Sequence, residues 1–323
     1  MIRPALTSIA ALAIAAAALT GCSSSSTVTP AAPSTAAASE TFPVTQDGTT
    51  VTAKPTHIVS LSPTATDVLF SIGAGAQVVA VDKNSDYFGS PTTFGNAAPA
   101  QTPPANLDAF KPNAEAIAAL SPDLVVISND ENKVQEQLTA LKIPVYVAPA
   151  AVTIDDTYKQ ETALGALTDN VAGAAKVVAA EKAAIAGDLA SLPKRTKQLT
   201  YYYELDPTFY SVTSKTFIGS LFTMANMTNI ADPADADGKA FGYPQLSAEA
   251  IIKANPDLIF LADTKCCKQS LDSMKARPGW STLAAVQNSH VVNLDDDTAS
   301  QWGTRVPDLL KAIVTASTGI PAS

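Results

Sequence analysis

Two segments of the chain, NAEAIAALSPDLVVISND at residues 113–130 and SAEAIIKANPDLIFLADT at residues 247–264, can be laid over one another without a gap. They share Ala114/Ala248, Glu115/Glu249, Ala116/Ala250, Ile117/Ile251, Pro122/Pro256, Asp123/Asp257 and Leu124/Leu258. In each copy apolar residues at helical spacing run into a Pro-Asp turn and then into an unbroken apolar stretch, LVVIS or LIFLA. Proline stops the helix because it has no N–H to donate and its ring clashes with the preceding turn. An apolar run without polar alternation suits a strand covered on both faces of a parallel sheet. The spacing between the copies is far outside the roughly 20 to 50 residue periods of solenoids, so the repeat predicts two lobes of like construction. Chance likeness of two ordinary helix–strand units is the alternative.

The rest of the pattern supports two α/β lobes. In the first, over 41–167, strands are expected at 57–61, 77–81, 124–128 and 145–148, with helices at 63–72 and 132–141. In the second, over 194–323, strands are expected at 199–205, 258–262 and 291–294, with helices at 216–225, 248–254 and 306–316. An Asp47-Gly48 pair marks a hairpin ahead of both. Between the lobes an alanine-rich stretch, 168–193, ends at Pro193 and carries Asp169 as an expected N-cap. Its two dozen or so residues would span roughly 36 Å as one helix. A continuous helix holds two lobes at a fixed distance, as a Gly/Ser linker would not. The expected fold is therefore α/β, two Rossmann-like lobes joined by one long rigid helix, with a ligand cleft between them.

Ahead of the lobes, Arg3 precedes an apolar run from Ala5 to Leu19, followed by Gly21 and Cys22. Residues 1–21 read as a signal peptide, since the run is shorter than the roughly 20 apolar residues a spanning helix needs. Leu19-Thr20-Gly21-Cys22 resembles the bacterial lipobox, which makes Cys22 the expected lipidation site and the chain an extracytoplasmic protein anchored to the cell membrane. Residues 22–40 are nearly all Ser, Thr, Ala and Pro, too poor in apolar surface to offset ordering entropy, and are expected to be a flexible linker.

A net charge of -9 disfavours nucleic acid as a partner. No G-x-S-x-G, H-E-x-x-H or phosphate-binding G-x-x-x-x-G-K-[ST] motif is present, so catalysis is not expected. Only two histidines, His57 and His290, occur, each opening an expected strand, and no resident metal is expected. The run Asp295-Asp296-Asp297 lacks the glycine and the last glutamate of a calcium loop and reads as a solvated loop. Cys266 and Cys267 are an even pair, which in an exported chain suggests a disulfide. Adjacent Cα atoms, about 3.8 Å apart, are closer than most bridges allow, so a vicinal disulfide, free thiols and a metal pair all remain open.

Taken together, the lipobox, HIVSLSPTATDVLFSIGAGAQVVAVDKNSDYF, the two Glu-containing units, the connecting helix and ARPGWSTLAAVQNSHVVNLDDD resemble the class III substrate-binding proteins of ABC importers. These serve ferric siderophores, haem and cobalamin, and the resemblance covers nearly all of the chain from Lys54 onward. YYYELDPTFYSVTSKTFIGSL is similar to the corresponding segment of the cobalamin-binding members. Ligands of open α/β sheets bind beyond the carboxyl ends of the strands. The resemblance thus implies a cleft lined by Ser62, Tyr87, Phe88, Asn129, Tyr210, Ser214, Tyr243, Gln301 and Trp302, although core packing competes for each aromatic. It implies no cofactor, the ligand itself carrying cobalt or iron, and a monomer that meets two permease subunits through Glu115 and Glu249. The family's Arg-x-x-x-Arg pattern before the last helix is here Gln301 to Arg305, which weighs against an anionic ligand and favours a corrinoid over a ferric siderophore or haem.

Overall fold

The computed structural model describes residues 40–85 and 104–322. The signal peptide, Cys22 and, Glu40 excepted, the linker lie outside the described residues. The first elements are β1 (Val44–Gln46) and β2 (Thr49–Val51), paired antiparallel. Asp47 (φ 45°) and Gly48 (φ 83°) supply the two left-handed residues that a tight hairpin turn requires.

The first lobe is built from β3 (Ile58–Leu61), α1 (Pro63–Ser71), β4 (Val78–Asp82), β5 (Ala105–Leu107), α2 (Ala114–Ala118), β6 (Leu124–Ile127), α3 (Val134–Ala140) and β7 (Val145–Val147). Its five strands are all parallel, in the order β5-β4-β3-β6-β7. Every residue of β3 and β6 is buried, which is why β6 reads as apolar without alternation and β3 does so but for Ser60.

Two helices follow, α4 (Ile154–Leu167) and α5 (Val171–Ala190), packed as a hairpin. A Cβ on Gly165 would come within 2.4 Å of the Ala174 Cβ, so the close approach of the two helices depends on glycine there. The connecting helix expected over 168–193 is α5, 20 residues long and hence about 30 Å rather than 36 Å. Asp169 is not its cap. At φ 57° it turns the chain, and its carboxylate accepts from the Glu40 N–H (2.8 Å) and pairs with Lys54 (3.2 Å), leaving Asn170 at the N-cap position. Along its length α5 contributes Ala174 and Val177 to the core of the first lobe and Ile185 to that of the second.

The second lobe comprises β8 (Leu199–Glu204), α6 (Phe217–Met224), β9 (Met227–Asn229), α7 (Ala248–Ala254), β10 (Leu258–Leu261), α8 (Thr264–Cys267), α9 (Leu271–Ala276), α10 (Ala284–Gln287), β11 (Val291–Asn293), α11 (Asp296–Ala299) and α12 (Val306–Thr318). Its four strands are parallel in the order β11-β10-β8-β9. Strands β5 and β9, three residues each, were not expected from the sequence.

The repeat does the same physical work in both lobes. Asn113 and Ser247 cap α2 and α7 by accepting from the N–H groups of Ala116 and Ala250. Ser121 (φ 52°) and Asn255 (φ 44°) end the helices in left-handed conformation just before the prolines, whose rings disfavour a helical predecessor. Asp123 then accepts from the N–H groups of Thr56 (2.7 Å) and His57 (2.9 Å), while Asp257 accepts from the N–H (2.8 Å) and hydroxyl (2.9 Å) of Thr200. Each aspartate thereby ties the start of one strand to its parallel neighbour, β6 to β3 and β10 to β8.

Candidate functional site

The lobes meet where α1 and α4 of the first face residues 302–305, which lie between β11 and α12. Asp67 on α1 accepts from the Thr304 hydroxyl (2.8 Å) and from Arg305 Nε (3.2 Å), all three residues being buried. Ser71 and Thr304 share a further hydrogen bond of 3.2 Å. Burial pushes the Asp67 carboxyl above its ordinary range, opposed by the charge and hydrogen bonds of Arg305 and Thr304. Nearby the Thr157 hydroxyl donates to the Trp302 carbonyl (2.6 Å), and Trp302 Nε1 donates to Gln160 Oε1 (3.2 Å). A cavity of about 10 Å³, lined among others by Ser62, Thr157, Glu161, Trp302 and Gly303, lies at this junction. The residue just beyond β3 thus faces the loop that follows β11, so strand ends of the two sheets converge on one place.

On the first-lobe side, Ser62 is almost wholly buried and its hydroxyl accepts from the Ala65 N–H as the N-cap of α1 (3.2 Å), so helix capping occupies it. Below it Thr66 donates to Ser60 (2.8 Å), and Ser85 donates to Asp82. Asn129 is exposed just past β6, while Tyr87 and Phe88 lie outside the described residues.

On the second-lobe side, residues 209–213 lie against 242–246, with Ser211 N–H donating to the Pro244 carbonyl and Thr213 N–H to that of Gly242. The pairing presents Tyr210, 41% exposed, and Tyr243, 47% exposed, from adjacent segments. Between them in sequence Phe241 is 87% exposed at φ 51°, an unusual conformation for an aromatic residue. Ser214 is anchored to Asp232 through its N–H (2.7 Å) and hydroxyl (2.8 Å). Gln301 is buried with its Oε1 unpartnered, and Trp302 is half-buried.

Cys266 and Cys267 are joined by a disulfide within α8. The aspartate run beside them is not a solvated loop. Asp296 accepts from the N–H groups of Thr264 (2.9 Å), Lys265 (3.0 Å) and Cys266 (3.1 Å), the favourable place for a carboxylate at a helix start. Asp295 and Asp297 both pair with Lys265, at 2.6 and 2.7 Å. Under this turn Arg277 grips Glu204 with two hydrogen bonds (2.6 and 2.5 Å) and lies 4.5 Å from the Trp280 ring centroid. Asp263 is fully buried beside them, and burial together with the charge of Glu204 pushes its carboxyl up to about 7.

The arginines matter for the choice of ligand. Arg277 is spent on Glu204, Arg305 on Asp67, and Arg195 on the carbonyls of Ser317, Ile320 and Pro321. Among the described residues no cluster of three or more His, Cys, Asp or Glu side chains is arranged to hold a metal ion. Also among them, no helix is long and apolar enough to cross a membrane. Glu115 and Glu249 are exposed in the first turns of α2 and α7, away from the junction in sequence and in fold. Its own backbone N–H and then the Ser247 hydroxyl hold the Glu249 carboxyl below its ordinary range. The sequence reading gave no role to Asp67, Glu161, Glu181, Glu204 and Asp263, although Asp67, Glu204 and Asp263 lie inside the quoted segments, because their partners are set by the tertiary fold.

The family model described as periplasmic binding protein matches residues 58–298. An uncharacterised ABC transporter substrate-binding lipoprotein of Bacillus subtilis, YvrC, is 27% identical over 83% of this chain and 83% of its own length. A cobalamin-binding protein of Halobacterium salinarum is 31% identical over 68% of this chain, a match that spans 58% of that protein. Among solved structures, a candidate iron-binding periplasmic solute-binding protein of Staphylococcus epidermidis superposes with a TM-score of 0.66 at 26% identity, covering 82% of this chain and 99% of that one.

Proposed function

Since the chain belongs to the periplasmic binding protein family, whose members here are solute-binding proteins of ABC importers and not enzymes, we propose that it captures cobalamin or a related corrinoid outside the cytoplasm and delivers it to a permease. The observation that carries the choice of ligand is the pairing of spent arginines with exposed aromatics. Arg277 and Arg305 are neutralised by buried carboxylates, so neither is presented to a citrate or catecholate complex. Tyr210, Phe241 and Tyr243 meanwhile offer stiff apolar area, the two tyrosines with polar tips, which suits a bulky amphipathic macrocycle. The Halobacterium relative favours the same reading. An iron chelate, as a ferric siderophore or haem, is the second reading, favoured by the Staphylococcus structure. In either case cobalt or iron arrives as cargo.

In this proposal Cys22 carries the lipid that holds the protein at the cell membrane, where more than one acyl chain gives a stable anchor. The monomeric protein presents Glu115 and Glu249, one from each lobe, to two permease subunits. Native mass spectrometry of the chain without residues 1–22, offered cobalamin, haem and ferric citrate in competition, tests the ligand. A one-to-one cobalamin complex is expected; at least a tenfold preference for haem or ferric citrate would overturn the corrinoid reading.

A further inference from the structure

Glu161 on α4 and Glu181 on α5 are both fully buried, and all four of their carboxyl oxygens lack a hydrogen-bond donor. Neither is in a salt bridge among the described residues. Each nevertheless acts on the other as a hydrogen-bonding and like-charge neighbour across the helical hairpin. The cationic and titratable groups around them are committed elsewhere or carry the wrong sign. From α1 comes Asp67, held by Arg305 and Thr304 from the loop before α12, with Asp308 of α12 adding a further negative charge. From α4 come Asp155 and Tyr158, and from α5 Lys182, whose ammonium lies over the Tyr158 ring, 4.6 Å from its centroid. Two ionised carboxylates facing each other in such a place would be repelled and undersolvated. A proton on each removes both penalties, by cancelling the two charges and supplying the donor that the contact needs.

Glu161 also lines the small cavity under the cleft, whose volume of about 10 Å³ is on the order required for one water molecule. The other polar walls of that cavity include the hydroxyl of Thr157 and the side chain of Gln160, which hold Trp302 by its carbonyl and its indole N–H. We propose that Glu161 and Glu181 are a buried pair of protonated acids, and that loss of a proton from the pair shifts α4 and with it Trp302, making the floor of the interlobe cleft sensitive to alkaline pH. Burial, the largest cause, holds both carboxyls protonated above the ordinary range, with the charge of Asp67 adding to the rise at Glu161 and that of Glu161 at Glu181, so the switch acts on the alkaline side of neutrality. The device is independent of which ligand the cleft takes.

The test uses the intact soluble chain with carbon-13 at the glutamate side-chain carboxyls and fluorine on its two tryptophans. Glutamate labelling leaves Asp67 and Asp263 silent. Two glutamate resonances should remain in the protonated form at neutral pH, titrate only above it, and be absent from Glu161→Gln/Glu181→Gln. The Trp302 fluorine signal should move with the same midpoint in the wild type and stay fixed in the double variant. If every glutamate carboxyl completes its titration below neutral pH, the pair is not protonated and the proposal falls. If Trp302 does not move, or moves equally in the double variant, the link to the cleft is wrong. The wild-type carbon-13 titration decides the first point even should the double variant fold poorly.

Discussion

At Asp263 a carboxyl is buried at the end of β10, next to the ion pair of Glu204 and Arg277 and directly under the disulfide-bearing turn. Its two oxygens have no hydrogen-bond partner, and the group is lifted from its ordinary 3.8 to about 7. An acid with a raised folded value stabilises the fold fully only below the unfolded value, and that stability is lost as pH climbs through the folded one. The window here runs from about pH 4 to about pH 7. Asp263→Asn keeps the shape and removes the titration. Its melting temperature should match the wild type near pH 4 and exceed it by a few degrees near pH 8, as thermal denaturation across that range will check. A wild-type advantage at pH 8 would mean that the ionised carboxylate is solvated or paired after all. Nothing in the local sequence LADTKCC marks Asp263 as the buried member of a triad, because Glu204 and Arg277 reach it only through the tertiary fold.

Among the elements, α4 shows where sequence patterning stops being informative. Its buried face carries Thr157, Tyr158 and Glu161 beside Leu164 and Leu167, so hydrophobic periodicity is blurred by polar residues that the lobe junction uses. A start signal does exist, since Thr153 and Asp156 form the reciprocal contacts of a capping box, with the Thr153 N–H donating to the Asp156 carboxylate at 2.9 Å. By contrast β6 and β10 are readable because burial on both faces imposes an unbroken apolar run, and β3 and β8 because theirs is broken only by Ser60 or by Thr200 and the terminal Glu204. The site divides in the same way. Exposed aromatics such as Tyr210 and Tyr243 are visible as residue types in post-strand loops, whereas the capping of α1 by the Ser62 hydroxyl emerges only from the fold. The packing of α5 on α1 makes a sharper claim. A Cβ on Gly173 would lie 1.9 Å from the Ile72 carbonyl oxygen, so Gly173→Ala must push the two helices apart. The loss should be about 1 to 3 kcal/mol by urea denaturation. The same change at Gly187, which has open space around it, should stabilise the helix by up to about 1 kcal/mol.

For the whole molecule, the repeat gives each lobe one capped helix carrying one exposed glutamate, Glu115 or Glu249, in its first turn. An exposed ion pair contributes only about 0 to 1 kcal/mol, but charges at two separated points fix orientation and encounter rate. Glu115→Ala/Glu249→Ala should therefore bind ligand with unchanged affinity in solution and lose most transport in a reconstituted importer. Full transport by the double variant would reduce both residues to ordinary surface charges, and lost ligand affinity would place them in the cleft. The helix between the lobes constrains the molecule in another respect. Since α5 closes one core with Ala174 and Val177 and the other with Ile185, neither lobe has a complete interior of its own. Heat or denaturant should then meet one cooperative transition instead of two, and a protease cut between the lobes should leave the half that loses α5 with an incomplete interior.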